Sequence, residues 1–274
     1  MLLKEIETFL EEDVGHEDYE EIVPYTDCKA EIVVKEDGVL AGLAEVEQIC
    51  DYFSVHYSSE FTDGDRLKSD DTVLTMEGPG AKILKAERLL LNILGRMSGI
   101  ATLTNLFVTR AKAVNEHVRV AGTRKTTPGF RKYEKKAITL GGGDPHRFGL
   151  YEAVIIKDNH IKLMGLENAV RRAKEVISFT RKIEVEVESI EEALQAAELN
   201  IDIIMLDNMT PAEVKECMGL LTERGLRDGL IVEASGGINE ENVEDFASTG
   251  VDVVSIGMIT HSAKSLGFSL NVVD

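Results

Sequence analysis

No stretch of this 274-residue sequence approaches the ~18–20 consecutive apolar residues that a membrane-spanning helix needs. The opening Met1-Leu2-Leu3-Lys4-Glu5 lacks the basic and apolar regions of a secretory signal, which predicts a cytoplasmic protein. Cysteine is scarce. Cys28, Cys50 and Cys217 are odd in number and share no CxxC spacing, so neither a disulfide framework nor a zinc site is indicated, and reduced structural thiols are expected. Positive charge is short as well: 30 Lys and Arg face 49 Asp and Glu, a net charge of −19. Such a balance repels nucleic acid and anionic membrane surfaces, and neither is expected as a partner. What is abundant is hydrophobic sequence, 43% of residues, enough for one large or two unequal domains.

Within the acidic chain, residues 123 to 157 gather cations: Arg124, Lys125, Arg131, Lys132, Lys135, Lys136, Arg147 and Lys157 against Glu134, Asp144 and Glu152. The run from Arg131 to Lys136 reads as a solvated helix face. Arg124, Lys125, Arg147 and Lys157 lie instead at strand ends or beside a Gly-rich turn, where loops carry binding groups, and are expected to be functional.

The first hundred residues read as an α+β unit, with a polar helix near 3 to 13, strands at 30 to 35 and 72 to 76, and a turn at Asp63-Gly64-Asp65. After Gly78-Pro79-Gly80, apolar residues from Ile83 to Met97 recur at helical spacing up to an expected break at Ser98-Gly99. From about residue 105 strand-like runs at 117 to 122, 153 to 157, 183 to 188, 203 to 206, 230 to 234 and 252 to 256 alternate with helical stretches. This alternation predicts parallel strands with crossover helices. Thr210-Pro211-Ala212-Glu213 has the capping hydroxyl, first-position proline and glutamate of a helix start. With only six clear strands a perfect eightfold α/β barrel is not established, and an open doubly wound sheet is the alternative.

In both architectures reactive groups lie beyond the carboxyl ends of the strands. Those ends here carry Thr123-Arg124-Lys125, Lys157-Asp158-Asn159-His160, Asp207-Asn208, Ser235-Gly236-Gly237 and Gly257. The run Ile183-Glu184-Val185-Glu186-Val187-Glu188 alternates with a period of two, so its three glutamates share a face. In a barrel that face is interior and needs cations or a metal ion to neutralise it; at an exposed edge it would be solvated. Ser235-Gly236-Gly237 followed by an Asn239 cap would offer backbone amides to a phosphate, although such a tripeptide is more often a plain turn. Gly141-Gly142-Gly143 before His146-Arg147 reads equally as hinge or cradle, and His160 as a cap.

Together these segments resemble the quinolinate phosphoribosyltransferase family. The specific parts are Glu87-Arg88 with Ser98-Gly99-Ile100-Ala101-Thr102, Thr123-Arg124-Lys125-Thr126-Thr127-Pro128-Gly129, Gly141-Gly142-Gly143 with His146-Arg147, Lys157-Asp158-Asn159-His160, Leu206-Asp207-Asn208 and Ser235-Gly236-Gly237. The resemblance implies an N-terminal α/β sandwich over 1–104, completed by the tail 265–274, and an irregular, incomplete α/β barrel over 105–264. It implies transfer of a phosphoribosyl group from 5-phosphoribosyl 1-pyrophosphate to quinolinate, with loss of CO₂, in de novo NAD biosynthesis. It further implies Mg²⁺ and a homodimer in which Arg88 reaches the partner's site, with further assembly to hexamers left open. By the same analogy Arg88, Arg124, His146, Arg147 and Lys157 hold the quinolinate carboxylates. Lys125 contacts the ribosyl donor, Glu186 and Asp207 meet its ribose hydroxyls and Mg²⁺, and Ser235, Gly236, Gly237, Gly257 and His261 form the 5′-phosphate site. Lys125, Glu186 and Asp207 are the implied catalytic set.

The chain departs from the family pattern near the N-terminus, where Glu17-Asp18-Tyr19-Glu20-Glu21 stands in place of a segment that ends in threonines. A molybdate-locus group shares the Thr-Arg-Lys-Thr motif but lacks Lys-Asp-Asn-His, which this chain has at 157 to 160. A pyrophosphorylase acting on another acidic base is one rival reading; a non-catalytic sensor of phosphoribosyl compounds is another.

Overall fold

The computed structural model describes residues 1–15, 22–23 and 26–273; the altered segment from Glu17 to Glu21 lies outside them. The chain forms two compact units, one made of Met1–Leu103, Thr139–Gly141 and Ala263–Asp274, the other of Thr104–Ile138 and Gly142–Ser262. The first unit begins with α1 (Leu3–Val14), β1 (Asp27–Val34), β2 (Gly38–Val39), α2 (Leu43–Phe53), β3 (His56–Ser58), β4 (Arg66–Leu67) and β5 (Thr72–Pro79). It also holds the start of α3 (Gly80–Val114). Along β1 the buried Ala30, Ile32 and Val34 alternate with less buried neighbours, because successive side chains point to opposite faces. On α2 the buried Leu43, Val46, Ile49, Cys50 and Phe53 follow the 3.6-residue period instead.

The second unit carries β6 (Arg119–Ala121), α4 (Arg131–Leu140), β7 (Val154–Ile156), α5 (Asp158–Met164), α6 (Leu166–Val176), β8 (Ile183–Val187) and α7 (Ile190–Glu198). It continues through β9 (Ile203–Asp207), α8 (Pro211–Glu223), β10 (Ile231–Ser235), α9 (Val243–Ala247), β11 (Val253–Ser255) and α10 (Met258–His261). Its six strands run parallel in the order β6-β11-β10-β9-β8-β7. From β7 to β11 each strand lies beside its successor without the reversal of a doubly wound sheet. Side chains from β7 to β11 and from the loop after β6 meet around one cavity, so the sheet curls into an incomplete α/β barrel. Its seam is between β6 and β7, where Asp144 bridges Ala121: Gly122 N–H donates to the Asp144 carbonyl at 2.9 Å and Asp144 N–H to the Val120 carbonyl at 2.8 Å. Gly143 is a packing glycine of this seam, since a Cβ there would lie 2.6 Å from the Thr104 side chain and 3.2 Å from the Val120 carbonyl.

Two helix starts show how local chemistry sets the crossovers. At α8 the Thr210 hydroxyl accepts from Glu213 N–H at 3.3 Å and the Glu213 carboxylate accepts from Thr210 N–H at 2.7 Å, with Pro211 in the first turn, as the sequence predicts. At α9 the expected Asn239 cap is corrected. Asn239 Oδ1 accepts from Glu241 N–H at 2.8 Å in a turn of its own, and the helix starts only after Asn242.

The chain then returns to the first unit, where β12 (Phe268–Val273) adds antiparallel to β1, from Lys29↔Val273 to Val34↔Phe268, completing the order β12-β1-β5-β3. The same return explains why α3 does not break at Ser98-Gly99 as expected. The Ser98 hydroxyl is 3.0 Å from Ala41 N and 3.1 Å from the Ala41 carbonyl, and Leu266 N–H donates to the Gly95 carbonyl at 2.9 Å. Gly99 is a contact point rather than a stop: the Lys264 carbonyl passes where a side chain would begin, with a Cβ only 3.0 Å from the carbonyl carbon. α3 therefore runs for 35 residues. Among the described residues no helix is long and apolar enough to cross a membrane. The thiols are free, and burial pushes Cys50 up to about 12 and Cys217 up to about 11, so both stay protonated near neutrality.

Candidate active site

At the carboxyl ends of the six strands lies a cleft of about 370 Å³. Arg124 and Lys125 enter it after β6, Arg147 from the seam loop and Lys157 after β7. Glu186 of β8, Asp207 of β9 and Ser235 of β10 face them, so groups far apart in sequence share one chamber. Arg124 Nε and Ser255 Oγ are buried with no hydrogen-bond partner within the protein, which leaves two polar groups for an anion to engage. Arg88 is exposed on α3 in the first unit and is not among the residues lining this cleft.

The cations are held from behind by α4, and here the solvated-face reading is overturned. Tyr133, Glu134 and Lys135 are buried. Glu134 accepts from Thr127 N–H at 3.1 Å and from the Thr127 hydroxyl at 2.9 Å, and Arg131 Nε donates to the Thr126 hydroxyl at 2.8 Å. The Lys135 ammonium donates to the Pro145 carbonyl and, at 3.1 Å, to the Arg147 carbonyl. Burial, with Arg131 nearby, pulls Lys135 down to about 8. The charged helix thus braces two of the three loops that carry cleft cations, the one after β6 and the seam loop.

Lys157 pairs directly with Glu186, whose side chain is 14% exposed. Lys157 N–H donates to His160 Nδ1 at 3.0 Å, so His160 is the cap that its position predicted. Asp207 accepts from the Asn208 amide at 2.9 Å; burial and the neighbouring Glu186 carboxylate raise its pKa. Beyond β10, Gly236 at φ 88 is obligatory, since a Cβ there would collide with the Asn208 side chain and stand 2.7 Å from Asn208 N. Gly257 is close to Lys125 and His261, at 3.1 and 3.2 Å from a notional Cβ. His261 Nδ1 is also 2.7 Å from the Ser262 hydroxyl.

Of the three alternating glutamates, Glu188 is exposed beyond the end of β8, while Glu184 is 1% exposed. The expectation that a cation neutralises Glu184 is corrected: both of its oxygens are buried without a hydrogen-bond partner. Burial, with the Glu233 carboxylate beside it, pushes Glu184 up to about 8, so the proton itself neutralises it. His146 Nε2 lies 3.2 Å from Glu233 Oε2. Burial alone would lower His146, but its bond to Glu233 and the Glu233 charge raise it. Because Glu184 is raised in the folded state, the stability it contributes is full below pH 4.5 and is lost as pH rises through about 8. Glu184→Gln is therefore expected to flatten the decline of melting temperature across that window. An unchanged decline would remove Glu184 as its source.

Glu233 and Lys135 were not singled out by sequence reasoning, although Glu233 interrupts the apolar run Leu230-Ile231-Val232, a visible sign of a polar residue inside a barrel strand. Ser255, which follows the apolar Val253-Val254 on β11 and pairs with Ser235, gives the same sign.

Two family models match: "Quinolinate phosphoribosyl transferase, N-terminal domain" over residues 19–98 and the C-terminal domain of the same family over residues 100–271. A probable nicotinate-nucleotide pyrophosphorylase [carboxylating] of Methanothermobacter thermautotrophicus is 48% identical over 271 residues, covering 97% of each chain. The Homo sapiens nicotinate-nucleotide pyrophosphorylase [carboxylating] is 38% identical, covering 97% of this chain and 90% of its own. Among solved structures, NadC from Streptococcus pyogenes superposes with a TM-score of 0.90 at 38% identity over 99% of this chain and 96% of its own. The nicotinate-nucleotide pyrophosphorylase of Ehrlichia chaffeensis does so with 0.93 at 30% identity, over 100% and 99%.

Proposed function

We propose the roles of the cleft residues from one premise: the chain belongs to the quinolinate phosphoribosyltransferase family. The reaction is the joining of quinolinate and 5-phosphoribosyl 1-pyrophosphate to give nicotinate mononucleotide, pyrophosphate and CO₂, a step of NAD biosynthesis. The observation that carries the assignment of roles is the meeting of Arg124, Lys125, Arg147 and Lys157 with Glu186 and Asp207 in one cleft. Guanidinium forks and a flexible ammonium suit a dicarboxylate, so Arg124, Arg147 and Lys157 hold quinolinate, with His146 at the wall behind them. Arg88 is given the same task in the cleft of a second copy, which makes the working unit a dimer.

The pyridine nitrogen attacks C1 of the ribosyl donor as pyrophosphate leaves; the 2-carboxylate then departs as CO₂, and the electron pair left on C2 takes up a proton from water. The transition state places positive charge on the ribosyl carbon, which cations cannot stabilise; Glu186 and Asp207 can. Lys125 balances the donor's phosphates, and Ser235, Gly236, Gly237 and Gly257, with His261 beside them, receive the 5′-phosphate on open backbone. A magnesium ion fits as well. Two carboxylates stand on neighbouring strands, Asp207 is raised by burial and by the charge of Glu186, and Mg²⁺ commonly takes one or two protein carboxylates with phosphate oxygens and water. Glu186 and Asp207 would hold it, and it would neutralise the departing pyrophosphate. A cytoplasmic location belongs to the same proposal.

Incubation with quinolinate, Mg²⁺ and 5-phosphoribosyl 1-pyrophosphate is expected to yield nicotinate mononucleotide, and nicotinate in place of quinolinate to yield none. Product from nicotinate alone would reassign the base. For the dimer, an Arg88→Ala protein mixed with an Arg124→Ala protein should regain part of the activity that each lacks by itself.

A further inference from the structure

Glu233 takes no part in the roles assigned above, yet its side chain on β10 is 3% exposed, a strongly unfavourable place for a carboxylate. Its Oε1 has no hydrogen-bond partner, and its Oε2 faces His146 Nε2 at 3.2 Å. The other nitrogen of that ring, Nδ1, accepts from Arg147 N–H at 2.8 Å. An imidazole nitrogen that accepts carries no proton, so the ring's hydrogen is on Nε2 and is donated to Glu233. His146 itself is held at φ 55, in the left-handed region that few residues other than glycine adopt. Arg147 is tied at its far end too, where its guanidinium donates to the Ala153 carbonyl at 2.8 Å.

We propose that Glu233 is a positioning residue: by fixing the tautomer and rotation of the His146 ring it holds the Arg147 backbone, and so sets where the Arg147 guanidinium meets a substrate carboxylate. The titratable groups that face this chain of bonds are Glu184 from β8 and Lys135 from α4, with Arg124 and Glu186 facing the Arg147 guanidinium. This deepens the functional reading and rests on its assignment of Arg147 to quinolinate. A metal ion is the competing occupant, because His146, Glu184 and Glu233 bring one donor atom each within 4.8 Å of one another. Ligation through either imidazole nitrogen would break a bond that the ring already makes, whereas positioning uses both bonds as they stand.

The test compares Glu233→Leu with Glu233→Gln in the full chain, whose amide oxygen can still accept from Nε2. Glu233→Leu is expected to raise the KM for quinolinate by about tenfold to a hundredfold. Its kcat and its KM for 5-phosphoribosyl 1-pyrophosphate should stay within about twofold, since a misaimed guanidinium affects one substrate only. Glu233→Gln should recover most of the loss. Equal losses for both substrates, no rescue by glutamine, or stoichiometric metal in the purified wild-type protein that Glu233→Gln abolishes would each overturn the proposal. Should the leucine variant fail to fold, the imidazole nitrogen shifts of wild-type His146 in alkaline buffer still decide it: a proton on Nδ1 instead of Nε2 refutes it. If the wild-type protein makes no nicotinate mononucleotide, the functional reading fails on its own account, and the tautomer measurement still judges this one.

Discussion

Replacing Glu186 by glutamine is expected to lower turnover by about 10²–10³-fold while leaving quinolinate affinity intact. The two halves of that expectation come from different physics. Glu186 is a mostly buried carboxylate at the end of β8, and in the proposed mechanism the charge it faces in the transition state is the cationic ribosyl carbon. A glutamine keeps the shape and loses the charge, so the loss belongs to the step in which pyrophosphate departs. Quinolinate, by contrast, is an anion; in the proposed arrangement the Glu186 charge next to it is repulsive, and its ion pair with Lys157 competes for the same ammonium. Binding should hold steady or tighten. Steady-state kinetics together with direct quinolinate titration separate the two, and unchanged turnover would rule out Glu186 as the stabilising charge.

Gly99→Ala should be the most damaging of the conservative changes to the first unit. Alanine ordinarily stabilises a helix interior by about 1 kcal/mol relative to glycine. At Gly99 the new Cβ would overlap the Lys264 carbonyl oxygen and lie 3.2 Å from Leu266 N, and backbone cannot swing aside as a side chain can. The expected net loss is about 3 kcal/mol, a fall of roughly 5–10 °C in melting temperature. Gly219→Ala is the matched control. It too is helical, in α8, with nothing within 4 Å of its notional Cβ, and it should gain about 0.5–1 kcal/mol. Equal responses at the two positions would show that the segment after Lys264 yields freely.

What could be read from the chain follows the range of the forces involved. The six parallel strands are legible because Val-, Ile- and Leu-rich runs between helical stretches are a local pattern, and so is the α8 cap. The break at Ser98-Gly99 was misread because the partner that demands a glycine there, Lys264, is far along the chain. The same holds for α4. Arg131 to Lys136 has the composition of a wet surface, and only the loop carbonyls of Pro145 and Arg147 make Lys135 an interior brace. Arg124, Lys157 and Asp207 could be picked out because strand ends are identifiable without knowing which strands are neighbours. Glu184 and Glu233 could not be paired in the same way: β9 lies between their strands in the sheet, and the two carboxylates meet only because the sheet curls.

The pairing of β12 with β1 also bears on how the protein is made. While the ribosome adds everything from Val34 to Phe268, roughly 10–50 s of synthesis, one flank of β1 has no strand to bond with. An open flank of this kind recruits stray strands from other molecules. The barrel module can finish folding as it emerges, whereas the sheet ahead of it must wait for β12, which follows the barrel in the chain. Slow translation, or loss of β12, should therefore send this protein into aggregates before it costs the barrel anything.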